Sequence, residues 1–266
     1  MKTKLLIIAG LIGVCCLISC KKESMDNHGN LPELEDVDDV CTKMDDINFM
    51  KYCYDNFDVN KDGKVSITEA NAVKTISDRD NVSLSKVVSF AGIEYFSNLE
   101  GFSLSSNDND VKTLDLRYNK NLQGCLIKYA SNLSSLDLRS NIELKFIYMQ
   151  GCSKLKSIYL PKSIESIDAR AFDGCGSLTI VDMSQCVNLK EILSNNDMFG
   201  NYYTFSSEEI DEFLIGATVP PKVNTTSSGP IKYNSIKTLK VPAESVEAYK
   251  KSFWRAFAVK ITPIEN

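Results

Sequence analysis

A repeat of 22 or 23 residues is the feature that most constrains how this chain can fold. Two aliphatic residues separated by one residue recur from Leu114 onward, and each pair begins 22 or 23 residues after the previous one. The pairs are Leu114/Leu116, Leu136/Leu138, Ile158/Leu160 and Val181/Met183. A unit this short cannot bury its own apolar side chains, so neighbouring units must stack and share one core. The repeat therefore predicts a solenoid of stacked coils, each coil being one repeat unit.

Asn or Cys recurs three residues before a further core leucine in these coils. The residues are Asn119, Asn141, Cys152, Cys175 and Cys186. Side chains of this size can turn the chain into the core and form a ladder from coil to coil. We therefore expect these three cysteines, and Cys125 at a core position, to be buried free thiols. Nothing in the sequence pairs Cys41 with Cys53.

The period, the L-x-L strand and the following Asn or Cys resemble leucine-rich repeats. The third coil, L-P-K-S-I-E-S-I-D-A-R-A-F-D-G-C-G-S-L from Leu160 to Leu178, resembles the BspA-type repeat of bacterial surface proteins. The segment from Ile236 to Ile264 resembles the closing segment of the same family. The resemblance spans about residues 82–266 and implies adhesion or recognition of a protein or glycan ligand.

The tail itself predicts a helical cap over the last coil. It carries an apolar stripe at helical spacing, formed by Val246, Tyr249, Phe253 and Phe257. We expect Trp254 to take part in the same packing. The preceding segment, residues 195–230, is rich in Asn, Ser, Thr and Pro and is interpreted as a long insertion.

An acidic twelve-residue stretch, D-V-N-K-D-G-K-V-S-I-T-E, precedes the repeats. Apolar residues at helical spacing flank it on both sides, and Ser66 with Glu69 forms a capping-box pattern. Helix, loop and helix resemble an EF-hand, which implies one Ca²⁺ held by oxygen ligands, with Gly63 making the sharp turn. The implied ligands are Asp58, Asn60, Asp62, Lys64 through its carbonyl, Ser66 directly or through water, and Glu69.

EF-hands usually work in pairs, and only one good loop is found. A single loop favours a structural role for the ion over a steep sensor. An acidic surface turn without metal is the alternative interpretation.

The N-terminus predicts export and a lipid anchor. A basic M-K-T-K head leads into an apolar run that is too short for a membrane span. Its end, Leu17-Ile18-Ser19-Cys20, resembles the lipobox of bacterial lipoproteins, which implies cleavage before an acylated Cys20. Lysine at position 21 favours the outer membrane, because it is not the aspartate that retains some lipoproteins in the inner membrane. An ordinary cleaved signal is the alternative.

Composition argues against several functions. The net charge is −5 and no basic run occurs, which argues against nucleic acid as a partner. The single histidine, His28, lies in an acidic segment, residues 20–46, that is predicted to be a tether. Histidine-dependent triads and zinc hydrolase sites therefore cannot form in the folded part. No nucleotide-binding or nucleophile motif is found. We therefore expect a protein that is not an enzyme.

The remaining candidate is a recognition surface on the solenoid. Alternate residues of an L-x-L strand face outward, so we expect one exposed face to bear Asp115, Arg117, Asp137, Arg139 and Tyr159, together with Asp182. Neighbouring edges would extend it with Tyr118, Lys128, Tyr129, Phe146 and Tyr148. The alternative is that Asp and Arg merely pair diagonally between strands as solvated charge.

These observations predict an α+β chain, namely an EF-hand-like helix-loop-helix followed by a leucine-rich-repeat β-solenoid with a C-terminal helical cap. The predicted segments are a signal peptide (1–19), an acidic tether (20–46), the helix-loop-helix (47–81), the repeats (82–194), and an insertion with the capping segment (195–266). The predicted function is ligand binding at the cell envelope with one structural Ca²⁺. A calcium-responsive scaffold of an envelope complex and a hydrolase using paired acids are the alternatives.

Overall fold

The computed structural model describes residues 31–78, 84–105, 111–193, 195–197, 200–202, 204–223, 230–232 and 234–265. Glu33–Asn266 forms one compact unit, distinct from Met1–Pro32. The predicted signal peptide and Cys20 lie outside the described residues. Within the described ranges, no helix is long and apolar enough to cross a membrane.

Short helices occur at both ends of the compact unit. The α-helices are α1 (Ile47–Phe57), α2 (Ile67–Ala72) and α3 (Val246–Lys251), and the 3₁₀ turns are Val40–Lys43, Leu84–Lys86, Ile93–Tyr95, Ala243–Ser245 and Phe253–Ala256. The strands are β1 (Thr75–Ser77), β2 (Gly101–Ser105), β3 (Gly124–Lys128), β4 (Ser135–Asp137), β5 (Phe146–Tyr148), β6 (Ser157–Tyr159), β7 (Ser166–Ile167), β8 (Ile180–Met183), β9 (Glu191–Ile192), β10 (Asn195–Asp197), β11 (Gly200–Tyr202), β12 (Ile210–Ile215), β13 (Lys222–Val223), β14 (Ile236–Val241) and β15 (Ala258–Pro263).

A six-stranded parallel sheet runs along the stacked coils in the order β4-β6-β8-β12-β14-β15. One residue from each strand forms an inward-facing column, in the order Leu136, Ile158, Val181, Phe213, Leu239 and Ile261. The first five are buried and Ile261 is half-buried. Each apolar side chain covers its neighbour in the next coil, which confirms the predicted stacking.

Two further parallel ladders follow other faces of the coils. One has the order β1-β2-β3-β5 and the other β7-β9-β13. β3 and β5 lie in the stretches between the L-x-L segments, and they bring Cys125 and Ile147 into register in the core. The repeat therefore contributes strands at more positions than its L-x-L segments alone predict.

The ladders extend beyond residues 82–194, the range predicted for the repeats. β1 lies in the predicted helix-loop-helix and pairs with β2, because α2 ends at Ala72 and the chain then becomes extended. β12 lies in the predicted insertion and pairs with β8 and β14. The antiparallel hairpin β10–β11 lies between β8 and β12, and it lengthens this coil so that the period is obscured in the sequence.

The folded unit also begins earlier than the predicted end of the tether at residue 46. Val40, Cys41 and Met44 are buried, and the Val40 N–H donates to the Val65 carbonyl at 2.9 Å. Asp39 accepts from the Val65 N–H at 3.0 Å and from the Tyr54 hydroxyl at 2.6 Å. These contacts fasten the segment to the helix-loop-helix, and the acidic composition concealed its buried apolar residues.

The C-terminal cap contains less helix than predicted. α3 ends at Lys251, and Ser252 is extended (ψ 177°) with its hydroxyl accepting from the Trp254 N–H at 3.2 Å. This break changes the phase of the predicted stripe, so Phe253 is 42% exposed while Trp254 is buried. The chain then closes the stack with a strand, β15, beside β14.

The Asn and Cys positions behave as predicted. Asn141 Nδ2 donates to the carbonyls of Leu116 and Asn119 in the preceding coil, at 2.8 and 2.9 Å. Cys175 Sγ lies 2.8 Å from the Met149 carbonyl oxygen, and Cys186 Sγ lies 3.2 Å from that of Pro161. All six cysteines of the described residues are buried and free: Cys41, Cys53, Cys125, Cys152, Cys175 and Cys186.

Candidate functional site

The two Asp-Leu-Arg motifs place an arginine against the aspartate two residues before it. Arg117 Nη2 lies 2.7 Å from Asp115 Oδ2, and Arg139 Nη2 lies 2.6 Å from Asp137 Oδ2. In both motifs the arginine backbone N–H donates to the aspartate Oδ1 at 3.0 Å. Each contact ion pair is therefore closed within its own coil. Arg117 and Asp137 of neighbouring coils attract one another electrostatically without forming a contact ion pair.

These contacts favour the ionised form of both aspartates. Burial would raise the pKa of Asp137, but the hydrogen bonds that Arg139 donates lower the pKa below its ordinary value. The pKa of Asp115 is lowered for the same reasons beside Arg117. Arg139 also lies over Tyr159, with the guanidinium carbon 4.8 Å from the ring centroid. The cation–π contact further restrains the arginine.

An open cleft of about 520 Å³ brings together three of the five predicted ligand-binding residues. Asp115, Arg117 and Asp137 line it, whereas Arg139 and Tyr159 do not. Its other lining residues are Asp45, Ser89, Phe90, Ala91, Glu94, Lys112, Thr113, Leu114, Ser134 and Ser135. Thr113 could have been found by extending the outward positions upstream of the first L-x-L segment, whereas Lys112 has the parity of the inward-facing Leu114 and breaks the alternation by being exposed. The residues before Lys112 come from segments without the repeat signature, so the period could not identify them.

The cleft lies where the six-stranded sheet ends. The period predicts a strand at Leu114–Leu116 beside β4, and burial alternates there as in a strand, with Leu114 and Leu116 buried and Asp115 exposed. Yet residues 111–117 form no strand, and no backbone hydrogen bond joins them to Ser135–Asp137. β4 is therefore an open edge strand that faces residues 111–117 across the cleft.

The register shows which backbone groups of β4 face the cleft. The Lys156 N–H donates to the Ser134 carbonyl and the Leu138 N–H donates to the Tyr159 carbonyl, each at 2.9 Å. Ser134 and Leu138 thus direct these groups toward β6. Because backbone groups of successive strand residues point to opposite edges, those of Ser135 and Asp137 point toward the cleft.

A separate aromatic surface lies on the sheet formed by β1, β2, β3 and β5. The rings of Phe146 and Tyr148 are nearly parallel, at 7° with centroids 6.4 Å apart, and Lys128 Nζ lies 5.4 Å from the Tyr148 centroid. Tyr129 nearby is 45% exposed. By contrast, Asp182, expected on the exposed face, is only 3% exposed, and its Oδ1 accepts from the Ser184 N–H at 2.9 Å.

The acidic loop closes through its own side chains. Asp58 accepts from the N–H groups of Asp62 and Gly63, at 3.2 and 3.0 Å, and the Asp62 side chain accepts from the Lys64 N–H at 2.9 Å. The Asn60 amide also donates to the Asp62 carboxylate at 3.0 Å. Gly63 has φ 86°, a conformation that glycine adopts without strain. The predicted turn at position 63 is therefore present.

Glu69 joins the two ends of the loop. Its Oε1 accepts from the Val59 N–H at 3.0 Å, and its Oε2 accepts from the Ser66 N–H and hydroxyl at 2.9 and 2.8 Å. With the Ser66 hydroxyl accepting from the Glu69 N–H at 3.2 Å, this is a complete capping box. These bonds, with Ser66 the largest contributor, lower the pKa of Glu69.

The donor set of the loop is suited to Ca²⁺, since every candidate ligand is an oxygen. A carboxylate oxygen that accepts one N–H keeps a second lone pair for a cation. Within the described part of the chain, however, no three Asp, Glu, His or Cys side chains converge in a metal-binding geometry. Glu69 is directed at amide groups in this arrangement. Calcium binding by Asp58, Asn60, Asp62, Lys64, Ser66 and Glu69 stays a prediction.

Comparison with known proteins identifies the repeat family. Solved structures similar to the chain include an internalin from Listeria monocytogenes, at 13% identity, with 84% of this chain and 78% of that chain covered and a TM-score of 0.33. This likeness is too distant to support an argument. The search of curated proteins gives no match. Residues 124–260, just over half of the chain, match the BspA type Leucine rich repeat region in six copies. The chain therefore belongs to the BspA-type leucine-rich repeat family.

Proposed function

We propose that this protein is a lipid-anchored component of the bacterial cell envelope that binds a protein ligand at the cleft beside β4. Leucine-rich-repeat proteins commonly bind protein ligands. The observation that carries the proposal is the position of Asp115, Arg117 and Asp137 around one open cleft of about 520 Å³. The ion pairs hold these polar side chains in place, which lowers the cost of ordering them when a ligand binds.

Site-specific crosslinking in intact cells tests this binding site. A photoreactive amino acid at Thr113, which is exposed and lines the cleft, should yield a specific protein adduct. The same group at Val259, a 71% exposed residue of β15, serves as the matched control. Adducts that are equal in yield and identity at both positions would refute a ligand-binding cleft. Loss of the Thr113 adduct after protease treatment of whole cells would also establish exposure at the cell surface.

The anchor rests on the lipobox resemblance at Leu17–Cys20. Replacing Cys20 by serine should move the protein from the membrane fraction to the soluble fraction of lysed cells, and metabolic labelling with a fatty acid should fail. Because acyl chains contribute about 0.8 kcal/mol per buried CH₂, a multiply acylated wild type should stay with the membrane after salt washing. Equal fractionation of wild type and Cys20→Ser would exclude the anchor.

We propose that one Ca²⁺ stabilises the acidic loop. The neighbouring carboxylates repel one another, and a bound cation removes this repulsion. Saturating Ca²⁺ at about one hundred times Kd would add about 2.7 kcal/mol to the free energy of unfolding. Calcium should therefore raise the melting temperature of wild type relative to chelator, and Glu69→Gln should reduce that rise. The absence of any calcium response in wild type would remove the ion from the proposal.

A calcium-responsive scaffold is the second candidate function. It is favoured by one observation: α2 leads directly into β1, so the loop is joined to the first strand of a ladder. A hydrolase using Asp115 and Asp137 is disfavoured. The arginines lower the pKa of both carboxyls, and neither would carry the proton that a general acid must donate.

A further inference from the structure

We propose that the cleft binds its ligand as an extended peptide that adds a strand to the open edge of β4. This inference rests on the proposed function and specifies its partner as a segment in β-conformation with basic side chains. Three independent observations support it: the unpaired backbone edges, the apolar floor and the charge of the lining.

The backbone supplies the main-chain contacts. Ser135 and Asp137 direct their N–H and C=O groups into the cleft, and no backbone hydrogen bond of the described residues joins them to residues 111–117. An inserted strand would pair with these groups and give the sheet the neighbour that the repeat spacing predicts at this position. Unpaired strand edges are templates for such pairing. Three residues of β4 extend about 10 Å, enough to pair with a short segment.

The floor of the cleft suits alternating side chains. Phe90 is 3% exposed and Leu114 is 8% exposed, and both line the cleft. In an extended peptide every second side chain would point toward these apolar groups, whereas the others would point outward. The ligand segment should therefore alternate apolar and polar residues.

The charge of the lining selects the polar residues of the ligand. Four carboxylates line the cleft, from Asp45, Glu94, Asp115 and Asp137, against Lys112 and Arg117. Asp115 neutralises Arg117, and Asp137 is paired with Arg139. The lining then has one remaining cation, Lys112, and two remaining carboxylates, Asp45 and Glu94. The surplus of negative charge favours Lys or Arg in the ligand.

A defined peptide can test this mode of binding. The probe is a capped, fluorescent heptapeptide K-L-K-S-I-Y-L, which copies Lys154–Leu160 and contains β6, the strand that pairs with the other edge of β4. Fluorescence anisotropy should show saturable binding to the folded protein, weakening as salt is added. Two further peptides are N-methylated at alternate amides, one on each set. The peptide whose methylated amides face β4 should bind at least tenfold more weakly, since methylation removes donors and keeps the side chains.

A proline at the cleft-facing position gives the matched protein variant. Ser135→Pro removes one N–H from the open edge and leaves the backbone bonds to β6 in place, as proline at an edge strand allows. It also removes the hydroxyl contact with Ser157 at 2.7 Å, which lies on the side of β6. We expect at least tenfold weaker peptide binding. Lys260→Pro, in the strand at the opposite end of the same sheet, should bind as wild type does. Unchanged emission of the single tryptophan, Trp254, checks that each variant is folded.

Several outcomes would overturn the inference. It fails if the heptapeptide shows no saturable binding, if both methylated peptides bind wild type as well as the unmethylated one, or if folded Ser135→Pro retains full affinity. The methylated peptides give a decisive result even if Ser135→Pro does not fold. If the Thr113 crosslink is found and strand addition fails, the proposed function stands without this mode of binding. If the Thr113 crosslink is absent as well, the binding site itself is refuted.

Discussion

The asparagine ladder makes a quantitative prediction about the stability of the solenoid. Asn141 Nδ2 donates two buried hydrogen bonds, to the Leu116 and Asn119 carbonyls. Its Oδ1 is buried without a partner in the described part of the chain, so the amide nitrogen is the atom of this side chain that bonds the preceding coil. Asn141→Ala removes both bonds, while the Leu116 and Asn119 carbonyls keep their bonds from the Asn119 and Leu122 N–H groups, at 3.0 and 3.1 Å. Each lost hydrogen bond contributes about 0.5–1.5 kcal/mol, so we expect a loss of about 1–3 kcal/mol in the free energy of unfolding.

Urea denaturation followed by circular dichroism measures this loss, provided that the m-value is unchanged. For a domain of this size, the melting temperature should fall by about 2–12 °C. Asn121→Ala is the matched control, because Asn121 is exposed and donates to the Asn98 side chain at 3.0 Å. It should cost less than about 0.5 kcal/mol. Equal losses in the two variants would refute the ladder argument.

A natural substitution adds a graded test. Other coils use cysteine at this position, and Cys175 Sγ lies 2.8 Å from the carbonyl oxygen of Met149. Asn141→Cys would restore one weak donor in place of two stronger ones. Its stability should therefore lie between those of wild type and Asn141→Ala. A loss equal to that of Asn141→Ala would show that the thiol contributes volume and no useful hydrogen bond.

The remaining predictions concern the C-terminal cap, the core thiols and the ion pairs. Tyr249→Phe removes the buried hydrogen bond to the Ala217 carbonyl (2.8 Å). The free energy of unfolding in urea should fall by about 1–3 kcal/mol. An unchanged free energy of unfolding would contradict a role of this bond in holding α3. Burial raises the pKa of Cys125 to about 12, so this thiol should resist a disulfide reagent at pH 8 until the protein unfolds, as peptide mass mapping would show. Folding lowers the pKa of Asp137, so its ionised carboxylate stabilises the folded state. This stabilisation is fully present above the unfolded pKa of about 3.9 and is lost as the pH falls through the lower pKa of the folded state. Melting scans should therefore show a smaller loss of stability below pH 4 in Asp137→Asn than in wild type.

The sequence was most informative where each residue acts through a repeated local rule. Leu136, Ile158 and Val181 occupy one column because the coils stack in register, and the period alone predicts that. Cys175 and Cys186 are buried beside carbonyls of the preceding coil, as their spacing from core leucines predicts. These side chains are buried because each coil covers the next one, so the periodic pattern is sufficient to predict their burial.

Features that depend on a single contact between distant segments were not predictable. Asp182 is buried although its position in the motif is the outward one that Asp137 occupies. Phe253 leaves the predicted apolar stripe and is exposed because one residue, Ser252, is extended, whereas Trp254 packs in the cap as expected. The cleft depends on missing hydrogen bonds between residues 111–117 and β4, although Leu114 and Leu116 fit the repeat. A periodic sequence predicts which side chains are buried, but it does not predict which backbone groups pair.

Helix α1 connects the two candidate sites and so distinguishes the two candidate functions. At its N-terminus, Asp46 accepts from the N–H groups of Asn48 and Val88 at 2.8 and 2.7 Å, which fastens the helix to the segment that forms one wall of the cleft. Burial would raise the pKa of Asp46, but these backbone bonds lower it, so the carboxylate stays ionised. At its C-terminus the helix ends at Phe57 and is followed by its C-cap, Asp58, the first residue of the acidic loop.

The eleven residues of α1 span about 16 Å. A cation that orders the loop would thus stabilise the helix that holds the cleft wall. By linkage, Ca²⁺ must then strengthen peptide binding by the same factor by which peptide strengthens Ca²⁺ binding. Calorimetric titration of the protein with the heptapeptide, in Ca²⁺ and in chelator, measures this factor as the ratio of the two peptide affinities. The titration is done with wild type and with Asp46→Asn, which weakens the bonds between α1 and the cleft wall. A factor above one in wild type that falls in Asp46→Asn supports the calcium-responsive scaffold. A factor of one in wild type means that the ion acts only on stability, and that the cleft binds its ligand without regulation by calcium.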